Sequence, residues 1–370
     1  MMRLKKFEVR NYKNFKDTFT MDFSKVKNYT FNQSCIRDGL IKNAVIYGEN
    51  GIGKSNFGRA ILDITNHLVD KRKDIYATLS YPNADSGVHQ VWFRYTLADS
   101  EDEIVYEYEK ATVNQILSEA VFVNGEKVFS CDYTKDKLDW SNLPKFGLDT
   151  LNWQFRDKGI SVLRYMANNL SLSSNHFIMK LMEFVNGMLW FCSLGTQNDY
   201  IGFLAISESI SDYLIRNGYV GRFENFLQTH GINEHLESLP ELNGQKGLYF
   251  KHEKAYLPFS VASSGTTALL AFYYWYTQMK NASFVVIDEF DAFYHFELAE
   301  KIINLAKEEL DIQVIFTSHN TNLLSNRFLR PDCCFVLTKE KLTSFVDATD
   351  RELKEGHDLE MLYMSGEFNV

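Results

Sequence analysis

The chain has 370 residues, of which 45% are hydrophobic and 24% charged, and a formal net charge of −9. That composition supports a large buried core in one or two domains and excludes a disordered chain. With no apolar run near about eighteen residues and no apolar stretch after Met1, neither a membrane-spanning helix nor a secretory leader is expected, and the expected location is cytoplasmic.

The acidic balance gives no global electrostatic footprint for nucleic acid. Cys35, Cys131, Cys192, Cys333 and Cys334 are odd in number and form no C-x-x-C pair, which argues against a disulfide framework and a structural zinc and for free core thiols.

Leu4 to Asp22 alternates as strands broken by a polar turn, with Phe7, Tyr12 and Phe15 as expected anchors. Asn43-Ala-Val-Ile-Tyr47 is a short apolar strand that meets a Gly-rich loop. After it, Phe57, Ala60, Ile61, Ile64 and Leu68 recur at helical spacing. Residues 88 to 130 read as antiparallel hairpins: Val91 to Tyr95 and Ile104 to Tyr108 flank the acidic turn Ser100 to Glu103, and Asn124-Gly125 is a two-residue hairpin signal. From about 150 to 245 helix-like segments dominate, at Ser161 to Leu170, Phe177 to Trp190 and Phe223 to Thr229. They lack the sustained heptads of a long coiled coil. From 255 onward, strand and helix alternate again: Ser283 to Ile287, Phe296 to Leu310, Gln313 to Phe316, Phe335 to Leu337. This pattern predicts an α/β fold with a mostly parallel sheet, an antiparallel β-subdomain and a helical insertion. The expected division is an N-terminal lobe over 1–145, a mainly helical insertion over 146–250 and a C-terminal lobe over 251–370.

Gly48-Glu-Asn-Gly-Ile-Gly-Lys-Ser55 matches G-x-x-x-x-G-K-[ST] at every fixed position and lies between a predicted strand and a predicted helix. Glycines let backbone N–H groups curl round phosphates, and a helix N-terminus adds partial positive charge. The candidate nucleotide-binding set is Asn50, Gly51, Gly53, Lys54, Ser55 and Asn56. In it Lys54 reaches the β and γ phosphates and Ser55 holds Mg²⁺.

Phe284-Val-Val-Ile-Asp-Glu289 is an apolar strand ending in two acids. Asp288 would meet Mg²⁺ directly or through water, and Glu289 would orient and deprotonate an attacking water. Val314-Ile-Phe-Thr-Ser-His319 is a second apolar strand, whose terminal His319 could bond a γ-phosphate. The implied cofactors are ATP and Mg²⁺, and Glu289, His319 and Lys54 are the candidate catalytic residues.

Together these segments resemble the RecF- and OLD-type branch of ABC-like ATPases, relatives of SMC heads. Phe7-Glu-Val-Arg-Asn-Tyr-Lys-Asn-Phe15 is similar to that branch's first strand and turn. Asp288-Glu-Phe-Asp-Ala-Phe-Tyr-His295 resembles its Walker B segment and D-loop, with Asp291 and His295 in characteristic places. Thr317-Ser-His-Asn320 resembles the switch-histidine segment, and Leu362 to Phe368 the closing motif. The resemblance implies a P-loop NTPase fold of ABC-head type and supplies a signature segment, Ala262-Ser-Ser-Gly-Thr266. Ser263 and Gly265 there fall where the family contacts the partner subunit's γ-phosphate, although Ser264 replaces the commoner first glycine. Gln90 is the candidate Q-loop glutamine.

The resemblance further implies a dimer that sandwiches ATP, or a higher oligomer, with no membrane partner. The leading expectation is an ATP hydrolase that regulates an effector protein encoded nearby, in bacterial antiviral defence. The alternative is a RecF-like DNA-binding ATPase, for which Arg3, Lys5, Lys6, Arg10, Lys13 and Lys16 could line a DNA path or form an ordinary charged edge strand. A transporter subunit fits less well, because of the large insertion, and so does a non-hydrolysing scaffold, because Lys54, Ser55, Asp288 and Glu289 are all present.

Overall fold

The structure, a computed structural model, describes residues 1–69, 71, 81–148, 159–193, 199–202, 208–242, 244–293 and 296–368. Strands β1 (Arg3–Arg10) and β2 (Phe19–Asp22), a small hairpin of β3 (Ile36–Arg37) and β4 (Leu40–Ile41), and β5 (Asn43–Tyr47) lead into helix α1 (Lys54–Ile61) and the short α2 (Thr65–Leu68). An antiparallel run follows: β6 (Val91–Ala98), β7 (Glu103–Thr112), β8 (Gln115–Val123), β9 (Glu126–Asp132) and β10 (Lys137–Asp139). Helices α3 (Val162–Asn169) and α4 (Phe177–Asn186) precede β11 (Met188–Cys192) and β12 (Tyr200–Ile201). Helices α5 (Ile210–Arg216) and α6 (Val220–Thr229) then precede a small sheet of β13 (Leu236–Pro240), β14 (Lys246–Lys251) and β15 (Tyr256–Pro258). The last part comprises α7 (Ser264–Met279), β16 (Phe284–Asp288), α8 (Phe296–Glu309), β17 (Gln313–Ser318), β18 (Cys334–Leu337), β19 (Leu342–Ser344) and α9 (Leu359–Met364).

Two seven-stranded sheets organise these elements. The first is antiparallel, in the order β10-β9-β8-β7-β6-β1-β2. Along β7 buried and half-buried residues alternate, as expected of a strand with one face on the core. The second runs β12-β11-β16-β17-β5-β18-β19, with β11 through β18 parallel and an antiparallel strand at each edge. Its inner strands β5, β16 and β17 are buried at every residue, the continuous apolar pattern of a strand covered on both faces. The expected α/β class with a parallel core, an antiparallel sheet and intervening helices is the one found.

Helix α1 lies between the two sheets. Phe57 meets Phe7 and Phe15 edge-on, with ring centroids 5.7 and 6.0 Å apart, and the Tyr95 hydroxyl donates to the Ala60 carbonyl at 3.1 Å. On the other side Gly58 allows close approach, since a Cβ there would lie 2.9 Å from Val286 Cγ1 and 3.1 Å from Trp190.

Two local readings need correction. Phe177 to Trp190 was expected as a continuous helix, but α4 ends at Asn186 and residues 188–192 form β11, a parallel neighbour of β16 in the central sheet. The run Met188-Leu-Trp-Phe-Cys192 is apolar throughout, so periodicity alone does not separate buried helix from buried strand; Gly187 marks the break. The basic N-terminal stretch is likewise not an edge, because β1 pairs with both β2 and β6. Its cations are largely engaged: Arg3 is buried and bonds Asp38 and Asp311 at 3.1 and 3.0 Å, Lys5 pairs with Glu103, Lys6 with Glu8, and Arg10 lies over the Trp92 ring. Among the described residues no cysteine is in a disulfide; Cys35, Cys131, Cys333 and Cys334 are buried and Cys192 is half-buried.

A buried ion pair ties α1 to the antiparallel sheet. Asp63, in the 3-10 turn after α1, accepts from Lys110 Nζ and the Tyr108 and Tyr81 hydroxyls at 2.8 Å each and from Asn66 Nδ2 at 3.0 Å. Lys110 and Asp63 are 0% and 1% exposed. Removing one member of such a pair leaves an uncompensated charge, so Asp63→Ala should destabilise the fold by about 3–5 kcal/mol, whereas Asp63→Leu combined with Lys110→Met should cost far less. Urea unfolding of the three proteins measures the difference.

Candidate active site

Because β5, β16 and β17 are parallel neighbours, their carboxyl ends lie at one edge of the sheet, where open α/β sheets bind ligands. From β5 the chain enters the loop Gly48–Gly53 and then the N-terminus of α1. Gly53 caps that helix at φ 115°, a conformation that strains any residue with a Cβ. Asn14 closes over the same point: Nδ2 donates to the Ile52 carbonyl at 2.7 Å, Oδ1 accepts from Asn56 Nδ2 at 2.8 Å, and a Cβ on Gly53 would sit 2.2 Å from Asn14 Nδ2. Asn50 and Gly51 stand exposed at the loop tip.

Lys54 is buried, and its Nζ donates to the carbonyls of Gly48 at 2.9 Å and Glu49 at 3.1 Å. Burial lowers its pKa from the ordinary lysine value, against the opposing charges of Glu289, Asp288 and Asp291.

Asp288, at the end of β16, is 1% exposed. Burial raises its pKa, while bonds from the Thr317 and Ser55 hydroxyls hold it back. The Thr317 hydroxyl donates to Asp288 Oδ1 at 2.6 Å and accepts the Glu289 N–H at 2.9 Å, so one hydroxyl orients both acids. Glu289 has φ 49°, in the left-handed region, a local strain typical of functional positions. Its Oε2 lies 3.3 Å from Nδ1 of the exposed His319. Ser55 and Asp288, bonded to each other, form an oxygen-only pair at the loop, a donor set that suits a hard cation such as Mg²⁺.

The structure therefore brings Lys54, Ser55, Asp288, Glu289 and His319 together. Ser263 and Gly265 are placed differently. Ser263 caps α7, its Oγ accepting the Thr266 N–H at 3.2 Å, and Gly265 faces the carbonyl of Phe293, 3.3 Å from where a Cβ would be. Among the described residues no hydrogen bond joins either to the phosphate loop of its own chain. His295 lies outside the described residues. Gln90 has an exposed side chain and is held through its carbonyl by Asn11 Nδ2 at 2.7 Å. The closing motif packs by the end of β5: Tyr363 lies 6.4 Å from the Tyr47 ring, Tyr363 and Phe368 lie against Phe345, with centroids 6.1 and 4.1 Å away, and Glu360 accepts from Thr321 beside the switch segment.

Asn14, Thr317 and Ser318 carry geometry that the motif reading left without a role. Asn14 sits in the segment Phe7 to Phe15, and the two hydroxyls immediately precede His319; their positions in the segments were readable, but their partners depend on the tertiary fold.

Residues 44–325 match the family model described as an AAA domain, putative AbiEii toxin, Type IV TA system. The chain belongs to that AAA-domain family. The geometry above, a Gly-rich loop between β5 and α1 facing an acid pair at the end of β16, agrees with an AAA-type P-loop domain. No curated protein matches the chain. Among solved structures, this AAA domain is similar to the SMC head domain from Thermotoga maritima at 14% identity and TM-score 0.44, over 92% of this chain and 98% of that one. It is also similar to an SmcHead bound to the C-winged helix domain of ScpA, at 15% identity and TM-score 0.44, over 92% and 97%. A third, the Smc head domain with an extended coiled coil from Pyrococcus furiosus, bound to the C-terminal domain of ScpA, matches at 12% identity and TM-score 0.40, over 93% and 96%.

Thr317 is fully buried, and valine keeps its shape while removing the hydroxyl. Thr317→Val in this AAA domain should cost about 1–3 kcal/mol by stranding the Glu289 N–H and one bond to Asp288. Denaturant unfolding tests this, and an unchanged midpoint would show that the bridge does not hold the two acids.

Proposed function

We propose that the chain is a cytoplasmic ATP hydrolase in which two copies sandwich ATP and Mg²⁺, and that the cycle of assembly and release regulates a separate effector. The observation that carries this reading is the convergence of Lys54, Ser55, Asp288, Glu289 and His319 at one edge of three parallel strands.

On this reading the backbone amides of the loop from Asn50 to Asn56 and the N-terminus of α1 receive the phosphates, and Lys54 exchanges its carbonyl partners for phosphate oxygens. Ser55 and Asp288 hold Mg²⁺, which when bound neutralises charge on the phosphate oxygens. Glu289 takes up the proton of the attacking water, held in place by the Thr317 bond to its amide, and His319 bonds the γ-phosphate. Ser263 and Gly265, remote in bonding from their own loop, complete the site of the second copy with helix-terminal amides.

The family description, a putative toxin of a Type IV toxin–antitoxin system, supports a setting in bacterial defence. An effector encoded beside this chain, and kinship with the RecF- and OLD-type branch, belong to the same proposal. Direct action on DNA is the weaker reading, since four of the six cations on which it depends, Arg3, Lys5, Lys6 and Arg10, are engaged by Asp38, Asp311, Glu103, Glu8 and Trp92. No helix among the described residues is long and apolar enough to cross a membrane.

The Glu289→Gln protein should bind ATP, turn it over at least about 100-fold more slowly, and accumulate as a dimer with ATP and Mg²⁺ in analytical ultracentrifugation. Unchanged turnover would remove Glu289 from the role of base, and a monomer at saturating ATP would remove the sandwich. A pull-down of the same protein from cells carrying its neighbouring genes separates the two partner readings: a co-purifying protein in fixed ratio favours the effector, and DNA alone favours direct action on DNA.

A further inference from the structure

Thr317 and Ser318 are consecutive residues at the end of β17, so their side chains point to opposite faces of the sheet. Thr317 serves Asp288 and Glu289. Ser318 serves the next acid along the same loop, its Oγ donating to Asp291 Oδ2 at 2.8 Å. The Ser318 hydroxyl has a single proton, and with that proton directed to Asp291 its lone pairs are free to accept the Asn320 N–H at 2.9 Å. His319 lies between Ser318 and Asn320, so both of its neighbours are tied, through one hydroxyl, to the loop that carries Glu289. Asp291 is 6% exposed, and its Oδ1 bonds nothing among the described residues, which leaves Ser318 as its side-chain anchor.

We propose that Asp291 is a positioning residue for hydrolysis: by accepting the Ser318 proton it fixes the backbone on both sides of His319 and holds the imidazole against Glu289. Asp291 acts through His319 and touches no phosphate. The same loop reaches Phe293, whose carbonyl faces Gly265 of the signature helix. Burial raises the Asp291 pKa, and the Ser318 bond opposes that rise. The inference rests on the hydrolytic reading of the Glu289–His319 pair, and the experiment keeps the two apart.

The full chain is prepared as wild type, Asp291→Ala, Ser318→Ala, the double variant and Asp291→Asn, with ATP turnover and the His319 ring resonances as readouts. The resonances are assigned in ¹⁵N-histidine-labelled protein by comparison with His319→Gln. Loss of this latch, the Ser318–Asp291 bond, should lower kcat by up to about 100-fold while KM for ATP is unchanged. The double variant should be no worse than either single one, because both remove the same bond. Asp291→Asn, which keeps an oxygen to accept the Ser318 proton, should recover most of kcat.

The His319 resonances should move in both alanine variants and return in Asp291→Asn, and this readout needs no hydrolysis. If wild type does not hydrolyse ATP, the hydrolytic reading fails and the resonances alone decide the latch. Unmoved His319 resonances in Ser318→Ala, the milder substitution, would overturn the proposal even if Asp291→Ala does not fold.

Discussion

The register of β17 is the constraint on which the candidate site depends. This strand lies between β5 and β16, pairing in parallel with both, so its end determines how the phosphate loop and the acid pair face each other. A slip of one residue would turn Thr317 to the opposite face and place Ser318 where the Asp288–Glu289 bridge is made. The start of the strand counters that slip. Gln313 is fully buried, accepts the Leu4 N–H at 2.7 Å, and donates to the Leu4 and Ile41 carbonyls at 2.9 and 3.1 Å. Three side-chain bonds at one end and two bridging hydroxyls at the other hold the strand along its whole length. Because Leu4 belongs to β1, the same glutamine also fixes the antiparallel sheet to the parallel one.

Helix α1 extends this coupling away from the loop. It begins at Lys54 and leads into Asp63, whose four hydrogen bonds include the buried lysine on β7 and the hydroxyl of Tyr108 beside it. Next to this pair, His67 reaches the Tyr106 hydroxyl at 3.0 Å, Tyr106 donates to Glu119, and Glu119 accepts the Val162 and Leu163 N–H groups at the start of α3. Buried polar groups in such a chain are costly unless satisfied, and these have partners on more than one element. The network therefore selects one relative placement of α1, the antiparallel sheet and α3. An apolar core of similar volume would tolerate several placements.

Much of this was readable from residue order. The loop Gly48 to Ser55, the acids after Phe284 to Ile287 and the histidine after Val314 to Ser318 each follow an apolar run too short for a helix. Parallel strands separated by helices then leave one edge at which all three can meet. The alternation along residues 88 to 130 and the Asn124-Gly125 turn gave the hairpins for the same local reasons. Strand β11 was not readable, because an apolar run buried on both faces carries no period, and its place beside β16 depends on contacts nearly a hundred residues apart. The roles of Asn14, Thr317 and Ser318 were hidden for a related reason. A hydroxyl or amide announces what it can bond but not which partner the fold brings within 3 Å.

Lys54 shows how the loop can be stable before a phosphate arrives and receptive afterwards. Its ammonium is buried, which weakens its charged form, yet it bonds two carbonyls of its own loop and feels three carboxylates. Those carbonyls keep the loop curled, since each is drawn inward toward the same nitrogen. A phosphate chain entering the hollow brings negative charge directly to Lys54 and to the amides at the helix N-terminus, and so favours the protonated lysine that burial disfavours. By linkage, protonation of Lys54 strengthens anion binding by the same factor by which the bound anion strengthens protonation. The carboxylates of Asp288 and Glu289 would oppose the same anion, and a cation held by Ser55 and Asp288 relieves that repulsion. On the proposed reading, nucleotide and metal are thus expected to bind together.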